Sequence, residues 1–223
     1  MASTRWPERC CGLDESFLAE APDFPGIRAS PMALDALMGL RKDALRAGFD
    51  LRPCSGFRSF DRQASIVTAK LEGARPILGP DERPVDTSGM TLAQKLSEAL
   101  RFSALPGFSR HHFGTDFDIY AANLIPEGGR LELTCHEYDE GMYFHKFGIW
   151  LSEHLEEHGL ARPFSGRGGI SREPWHVSFL PEAEQCLAAF SLDSALKVLE
   201  ESGLYWASEA TSYARERFPA LFS

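Results

Sequence analysis

The dozen residues from Ser109 to Tyr120 (SRHHFGTDFDIY) concentrate side chains that could bind a metal ion. His111 and Asp118 offer an imidazole and a carboxylate, and Gly114 between them would allow a tight turn that brings the two together. A catalytic zinc ion usually takes three protein ligands from His, Asp, Glu or Cys and leaves a fourth position for water. The segment, which we expect to be a short strand near a turn, therefore suggests two ligands of a hydrolytic metal site.

The sequence EPWH offers the chemistry that would complete such a site. Glu173 and His176 lie three residues apart, and residues at that spacing on a strand point to opposite faces. They can share a site only if the chain turns, and Pro174 favours a local departure from the strand. His176 would then be a third ligand and Glu173 a base for water. The alternative is that each histidine is an ordinary hydrogen-bonded residue of the core.

A competing metal site is the sequence HLEEH, from His154 to His158, which matches the H-x-x-E-H arrangement of one class of zinc peptidases. Histidines one helical turn apart can bind zinc together. However, Gly159 favours a helix end here, and the two histidines share a face with apolar residues while the glutamates face largely the other way. We interpret the segment as an amphipathic helix with polar residues at the margin of its apolar stripe. His136 and His145 have no ligand-like spacing.

Three segments together resemble the VanY-type D-alanyl-D-alanine carboxypeptidases. SRHHFGTDFD resembles the signature S-x-H-x-x-G-x-A-x-D, EPWH resembles E-x-x-H, and SGFRSFDRQ (residues 55–63) resembles the upstream segment S-G-[YF]-R-S. Relatives of this family are the VanX dipeptidases and the L,D-carboxypeptidases of the lysostaphin, D-Ala-D-Ala and Sonic hedgehog (LAS) metallopeptidases. Three motifs in the right order are more specific than any one of them, and the resemblance covers roughly residues 51–180.

The resemblance implies roles for individual residues. The implied zinc ligands are His111, Asp118 and His176. Glu173 becomes the general base, and Arg58 becomes the arginine that engages the substrate. Ser109 is expected to line the site, and Gln63 is a candidate for substrate contact. The implied cofactor is Zn²⁺, and the implied fold is a small antiparallel sheet flanked by helices.

One position departs from the family signature, because Asp116 stands where the motif has alanine. Residues 116 and 118 face the same way on a strand, so a second carboxylate would lie near the metal. Asp116 could orient a ligand histidine, point to solvent at a strand edge, or replace Asp118 as the ligand. An extended segment would turn His112 away from His111, so His112 is left out of the predicted site.

Composition indicates an ordinary globular protein. The chain has 223 residues, of which 43% are hydrophobic and 25% charged, and its formal net charge of -9 argues against nucleic acid or an anionic membrane as partner. No apolar run approaches the roughly 18 residues of a membrane span. The N-terminus lacks the apolar core of a signal peptide, which predicts a cytoplasmic location, or a periplasmic one if a leader was removed. The 5 cysteines include no C-x-x-C and are expected to be mostly reduced thiols.

The elements that must position these residues follow from capping residues and apolar periodicity. Ser30 and Ser59 can each cap a helix, and Thr91 forms a capping box with Gln94. Predicted helices cover about 31–47, 60–73, 92–104 and 143–159, with two or three more in 181–223. Predicted strands lie within 49–57, 109–120 and 125–134, and a hairpin joins 160–164 to 173–179. Helices and antiparallel strands without regular βαβ alternation predict an α+β fold with additional C-terminal helices.

We expect a single zinc peptidase domain over residues 1–223. Its parts would be an N-terminal helical region (about 1–48), a catalytic core (about 49–180) and C-terminal helices (about 181–223). The predicted activity is hydrolysis of the C-terminal peptide bond of peptidoglycan stem peptides or D-Ala-D-Ala-type substrates, by a carboxypeptidase or dipeptidase. The alternatives are an endopeptidase of the same fold and a zinc-stabilised binding module without chemistry. Glu173 and Arg58 argue against the binding module, since a structural zinc site needs neither.

Overall fold

The computed structural model describes residues 6–166, 170–218 and 220–222. The helices in this part are α1 (Trp6–Cys10), α2 (Pro31–Arg46), α3 (Phe60–Leu71), α4 (Leu92–Ala99), α5 (His145–His154), α6 (Leu180–Ala189), α7 (Leu192–Glu201) and α8 (Ala207–Arg217). The strands are β1 (Ala19–Glu20), β2 (Arg28–Ala29), β3 (Leu51–Ser55), β4 (Asp116–Ala121), β5 (Leu160–Ala161) and β6 (His176–Phe179). The predicted α+β class, with a small antiparallel sheet flanked by helices, is confirmed.

The predicted caps define three of the helix starts. The side chains of Ser30 and Ser59 accept backbone hydrogen bonds at the starts of α2 and α3. Thr91 and Gln94 form the reciprocal capping box of α4. These signals are local, because each cap satisfies orphan N–H groups within the first turn of its own helix. Helix α4 ends at Ala99, before the predicted 104, because the chain leaves the helix and buries Leu100 in the core.

The main sheet has four strands in the order β3-β4-β6-β5, and every neighbouring pair is antiparallel. Strands β5 and β6 pair as the predicted hairpin, although residues 167–169 of its connection lie outside the described residues. The strand predicted within 125–134 is wrong. Instead of a neighbouring strand, the Glu137 carboxylate accepts hydrogen bonds from the backbone N–H groups of Glu132 and Thr134. A side chain thus satisfies donors that a strand would have paired in a ladder.

The two larger of three apolar clusters among the described residues pack the helices and the sheet together. The first packs α2 and α5 against one face of the sheet, and the second joins α3, α4, α7 and α8 around the buried Trp206. Phe117 and Ile119 of β4 belong to the first cluster. Because side chains alternate along a strand, Asp116 and Asp118 point to the opposite face. The acidic residues of β4 are therefore directed away from the first cluster, and Asp118 lies opposite His176 of β6.

The two ends of the chain are mainly helical. The N-terminal region contains the two-stranded β1-β2 ladder as well as α1 and α2, and residues 1–5 lie outside the described part. The tail forms three α-helices, within the predicted two or three. All five cysteines are free, as expected. None of the described helices combines the length and apolar character that a membrane crossing requires.

Candidate metal centre

Three parts of the chain bring the predicted ligands together. Asp118 and His176 are directly opposite each other on the antiparallel strands β4 and β6. His111 lies on a 3-10 turn, Arg110–Phe113, which Gly114 ends with a φ of 70° before the chain enters β4. The expected extended conformation is therefore wrong for residues 110–113. The predicted turn at Gly114 is present, and it has the left-handed conformation that glycine adopts without steric cost.

The ligand atoms form a compact group. His111 Nε2 lies 3.4 Å from Asp118 Oδ2, and His176 Nδ1 lies 3.3 Å from Asp118 Oδ1. One nitrogen from each imidazole and one carboxylate oxygen all lie within 4.8 Å of one another. Ligands held about 2.0–2.2 Å from a tetrahedral zinc ion would be about 3.4 Å apart. The spacing of the three side chains therefore fits a zinc ion.

The hydrogen bonds of the two imidazoles leave one nitrogen of each facing the other ligands. His111 Nδ1 is 2.8 Å from the carbonyl oxygen of Gly56, to which it can donate, so Nε2 is left as the unprotonated nitrogen. His176 Nε2 is 2.8 Å from Asp116 Oδ1, and this carboxylate can accept a hydrogen bond from the Nε2–H group. His176 Nδ1 is buried and forms no hydrogen bond with any described residue. A buried ring nitrogen without a partner is what a metal ligand presents.

The electrostatics of the group favour a cation. Burial alone would lower the pKa of His176, but the neighbouring Asp116 and Asp118 raise it to about 9. Burial also opposes ionisation of Asp118, yet His111 and Arg58 hold the pKa of this carboxyl well below its usual range. The pKa of His111 is lowered, mainly by burial. The carboxylates thus stabilise positive charge beside His176, which a proton or a metal ion can supply.

Asp116 lies at the far side of the His176 ring. Its Oδ1 accepts from Arg110 Nε at 2.9 Å as well as contacting His176, and its Oδ2 accepts from the hydroxyls of Thr115 and Ser178 at 2.5 and 3.0 Å. Asp116 is fully buried, so the alternative in which it points to solvent is wrong. Its contacts are those of a residue that orients the His176 imidazole.

Arg110 is a component that the sequence analysis missed. It is buried, pairs with Asp116 and donates through Nη2 to Ser178 Oγ at 2.6 Å. The sequence feature that could have indicated Arg110 was Asp116, which stands where the family signature has alanine. A carboxylate that is buried at this position needs a nearby cation, because an unpaired ionised group is costly away from water.

Glu173 approaches the same ligands from the loop before β6. The chain turns between Glu173 and His176, whose backbone N–H donates to the Glu173 carbonyl at 3.2 Å. Glu173 Oε2 consequently lies 3.6 Å from His176 Nδ1. The turn expected at Pro174 is confirmed. Burial raises the pKa of Glu173 to about 7, so its carboxyl can gain or lose a proton near neutral pH.

Arg58 also reaches the ligands. Its Nη2 donates to Asp118 Oδ2 at 2.5 Å, and its Nε donates to Ser55 Oγ at 3.0 Å. The guanidinium has five N–H donors, so these two bonds leave others for a ligand. The ion-pair partner of Arg58 is therefore the buried Asp118.

The group opens onto a cavity of about 670 Å³. Ser109 is buried and contributes to the lining of this cavity. Gln63 is fully buried in α3, where its Nε2 donates to the carbonyl oxygen of Ala104 at 2.8 Å. The structure thus places Ser109 at the cavity wall and Gln63 within the helix packing, and the substrate contacts of both remain predictions.

The other histidines have different partners. His154 stacks on Trp150 with ring centroids 4.4 Å apart, and His158 Nε2 contacts Asp43 Oδ2 at 3.1 Å. His112 is buried, and its Nδ1 lies 2.7 Å from the carbonyl oxygen of Arg58. The rings of His111 and His112 therefore both face the interior, whereas an extended backbone would have turned them to opposite sides. Within the described part of the chain, His111, Asp118 and His176 are the set that brings three metal-binding side chains together.

Comparison with known proteins places this arrangement in a family. A family model described as VanY, D-alanyl-D-alanine carboxypeptidase, matches residues 26–182. The chain belongs to the VanY family. The match contains the three candidate ligands together with Glu173 and Arg58, so the family assignment rests on the part of the chain that builds the site.

Curated relatives of this VanY-family chain match it over part of their length. A D-alanyl-D-alanine carboxypeptidase of Enterococcus faecalis is 26% identical over 158 residues, which are 69% of this chain and 47% of that protein. An uncharacterized protein of Haemophilus influenzae is 42% identical over 86 residues, which are 37% of this chain and 66% of that protein. The chain thus spans about half to two thirds of these relatives.

Solved VanY-type structures share the fold. VanYB in complex with D-alanine-D-alanine has a TM-score of 0.54 and 22% identity, covering 81% of this chain and 87% of that chain. A VanY mutant in complex with Zn(II) has a TM-score of 0.53 and 22% identity, covering 80% and 88%. The LD-carboxypeptidase LdcB has a TM-score of 0.54 and 20% identity, covering 84% and 80%. The LAS-type fold expected from the three motifs is therefore confirmed.

Proposed function

We propose that this VanY-family protein is a zinc-dependent carboxypeptidase or dipeptidase. Its proposed substrates are short peptides with a D-Ala-D-Ala-type terminus, including peptidoglycan stem peptides. The observation that carries the proposal is the buried Nδ1 of His176, which has no hydrogen-bond partner in the described part and lies beside Asp118 and Glu173. The complexes of VanYB with D-alanine-D-alanine and of a VanY mutant with Zn(II) support the substrate class and the metal.

His111 Nε2, His176 Nδ1 and the Asp118 carboxylate would hold the metal. Zinc bound by two neutral imidazoles and one carboxylate keeps a net positive charge and supplies the Lewis acidity that activates water near neutral pH. Asp116 accepts a hydrogen bond from the Nε2–H group of His176, which leaves Nδ1 unprotonated and available to the metal. The carbonyl oxygen of Gly56 accepts a hydrogen bond from His111 Nδ1–H, which leaves His111 Nε2 available to the metal.

Glu173 performs the proton transfers in this proposal. Its Oε2 accepts a proton from the attacking water and returns it to the amine that leaves. Burial raises the pKa of Glu173 to about 7, which suits a group that must accept and donate a proton in one cycle. Arg58 holds the substrate's terminal carboxylate, for which a guanidinium offers two parallel hydrogen bonds.

The substrate class is tested with a panel of stem tripeptides, tetrapeptides and pentapeptides and the dipeptide D-Ala-D-Ala. We expect zinc-loaded protein to release one C-terminal residue from at least one D-Ala-terminated peptide, as detected by mass spectrometry. A chelator should abolish the reaction, and added zinc should restore it. Cleavage only at internal bonds would favour an endopeptidase, and a stable zinc protein that cleaves none of the peptides would favour a binding module.

The ligand set is tested by metal analysis. We expect one zinc ion per chain in the wild type. Replacing His176 with alanine removes a ligand and should lower zinc affinity by more than the roughly 10- to 100-fold typical of residues that only orient a ligand. Zinc content and competition with a chromogenic chelator provide the measurement.

His154→Ala is the matched control, because this imidazole stacks on Trp150 away from the candidate ligands. It should leave zinc affinity unchanged. Full zinc occupancy in His176→Ala, or zinc loss in His154→Ala, would contradict the assignment and favour the helical histidine pair instead.

A further inference from the structure

The cavity in front of the candidate metal centre has one cationic wall. Arg62 and Lys70 lie on α3, eight residues apart, and both line the cavity with Arg75, which follows the helix. We define these three residues as the cationic wall. Residues at this spacing lie near the same face of a helix, about 12 Å apart along its axis. The chain carries a formal net charge of -9, so a cluster of three cations is not a consequence of its overall composition.

The three residues of the cationic wall differ from the other cavity cations in their pairing. None of its three residues has an ion-pair partner among the residues that the structure describes, whereas the other two cavity arginines are paired with aspartates: Arg58 with Asp118, and Arg110 with Asp116. The contrast separates cations that build the site from cations that remain available to a ligand.

Lys70 is the most enclosed of the three. It is half-buried, while Arg62 and Arg75 are exposed, and its Nζ donates to Ser103 Oγ at 2.8 Å. An ammonium group has three donors, so this hydroxyl leaves two of them available. Burial, with a smaller contribution from nearby Arg75, lowers the pKa of Lys70 to about 8, so the amine is still mostly charged at pH 7. Holding cations together without a carboxylate is unfavourable, and an anionic ligand would relieve it.

The acidic residues of the cavity do not offset the wall. Glu82 uses its carboxylate oxygens to accept backbone N–H groups of residues 135 and 136, and Glu132 pairs with Arg130. Glu173 is the candidate base and acts on Lys70 only as a lesser contribution to its pKa. The free positive charge of the cavity is therefore concentrated at the cationic wall.

We propose that the cationic wall, with Lys70 at its centre, is a subsite for a second carboxylate on the peptide substrate, distinct from the terminal carboxylate held by Arg58. This inference rests on the proposed function, because it assigns the substrate as a peptide with an acidic residue upstream of the scissile bond. Lys70 and Ser103 would bind that carboxylate, and Arg62 and Arg75 would add attraction from the cavity rim.

The test compares acid and amide forms of the same peptides. The probes are acetyl-Glu-Ala-D-Ala-D-Ala and acetyl-Ala-Glu-D-Ala-D-Ala, each with its glutamine counterpart. Dissociation constants are measured by calorimetry with zinc-loaded protein carrying Glu173→Gln, which keeps the peptides intact during titration. We expect the acid form to bind about 10- to 100-fold more tightly than the amide form for at least one pair, as for hydrogen bonds to charged groups.

Variants of Lys70 test whether the preference for the acid form depends on the cationic wall. Lys70→Met removes the charge but keeps much of the aliphatic stem, and it should reduce the preference to less than about threefold, while Lys70→Arg should keep most of it. Lys197→Met is the matched control, because Lys197 is an exposed lysine of α7 outside the cavity, and it should keep the full preference. Circular dichroism establishes that each variant is folded.

The outcomes separate the subsite from the proposed function. Equal binding of acid and amide forms by the parent protein, or an undiminished preference in folded Lys70→Met, would overturn the subsite. An equal loss of affinity for both forms in Lys70→Met would also overturn it and assign Lys70 to the terminal carboxylate. Hydrolysis by the wild-type protein is measured separately. If acid forms bind preferentially through Lys70 but no peptide is cleaved, the subsite stands and the proposed activity fails.

Discussion

Replacing Glu173 with glutamine should lower kcat by about 10²- to 10⁴-fold, the usual contribution of a general base, while zinc content stays unchanged. The amide has nearly the same shape as the carboxylate but cannot accept the proton of the attacking water. The residue lies 3.6 Å from His176 Nδ1 and is not one of the three candidate ligands, so the metal should still bind. Steady-state hydrolysis of a D-Ala-D-Ala-terminated peptide, together with metal analysis of the same sample, provides the measurement.

A control is needed because Glu173 is partly buried, and its replacement could affect folding as well as catalysis. Glu184→Gln makes the same chemical change on α6, at a position that does not line the cavity, and should leave kcat unchanged. Near-normal turnover by zinc-loaded Glu173→Gln would remove Glu173 from the mechanism. Loss of zinc together with turnover would instead assign it to metal binding.

Replacing Arg58 with alanine should lower kcat/KM by roughly 30- to several-thousand-fold. This range corresponds to about 2–5 kcal/mol for the loss of one partner of a desolvated charge pair. Arg58 also pairs with Asp118, so its replacement can act through this candidate metal ligand as well as through the substrate. Zinc affinity must therefore be measured alongside the kinetics of the variant.

A double cycle isolates the contact with the substrate. Amidating the peptide's C-terminus should cost the wild type a similar factor and Arg58→Ala much less, because both changes delete the same interaction. Arg46→Ala is the matched control, because Arg46 is an exposed arginine of α2 outside the cavity, and it should leave the effect of amidation intact. Additive losses in the cycle, or rapid cleavage of amidated peptides by the wild type, would move Arg58 off the terminal carboxylate and favour an endopeptidase.

Much of the fold and the candidate ligand set could be predicted because the signals are local or lie within short motifs. Ser30, Ser59 and Thr91 mark helix starts, since each satisfies backbone donors only a few residues away. The motifs around His111 and His176 carry both imidazoles and the nearby carboxylates, so their order along the chain was enough to propose one site. The α+β class followed from predicted helices and antiparallel strands that show no regular βαβ alternation.

Two predictions of extended backbone failed where a charged side chain nearby in the sequence decides the conformation. Residues 125–134 have a strand-like pattern, but the Glu137 carboxylate takes up two of their backbone donors. The segment containing His111 forms a 3-10 turn, whose Arg110 is drawn inward by Asp116. In both cases a buried or partly buried charge competes with the local preference for extended backbone, and the sequence pattern alone does not rank the two.

By itself, the sequence determined the candidate ligands, the candidate base and the family, because residue type and spacing carry that information. Only the tertiary structure decided how the groups are used. It placed Asp116 at Nε2 of His176, so that Nδ1 is the ring nitrogen without a hydrogen bond to any described residue. It also placed Lys70 in the cavity, where its Nζ donates to Ser103 and forms no ion pair within the described part of the chain. These features depend on contacts between residues far apart in the chain: Lys70 and Ser103 are separated by 33 positions, and Asp116 and His176 by 60. Such distances are fixed by strand pairing and packing, which bring together side chains that no local pattern relates.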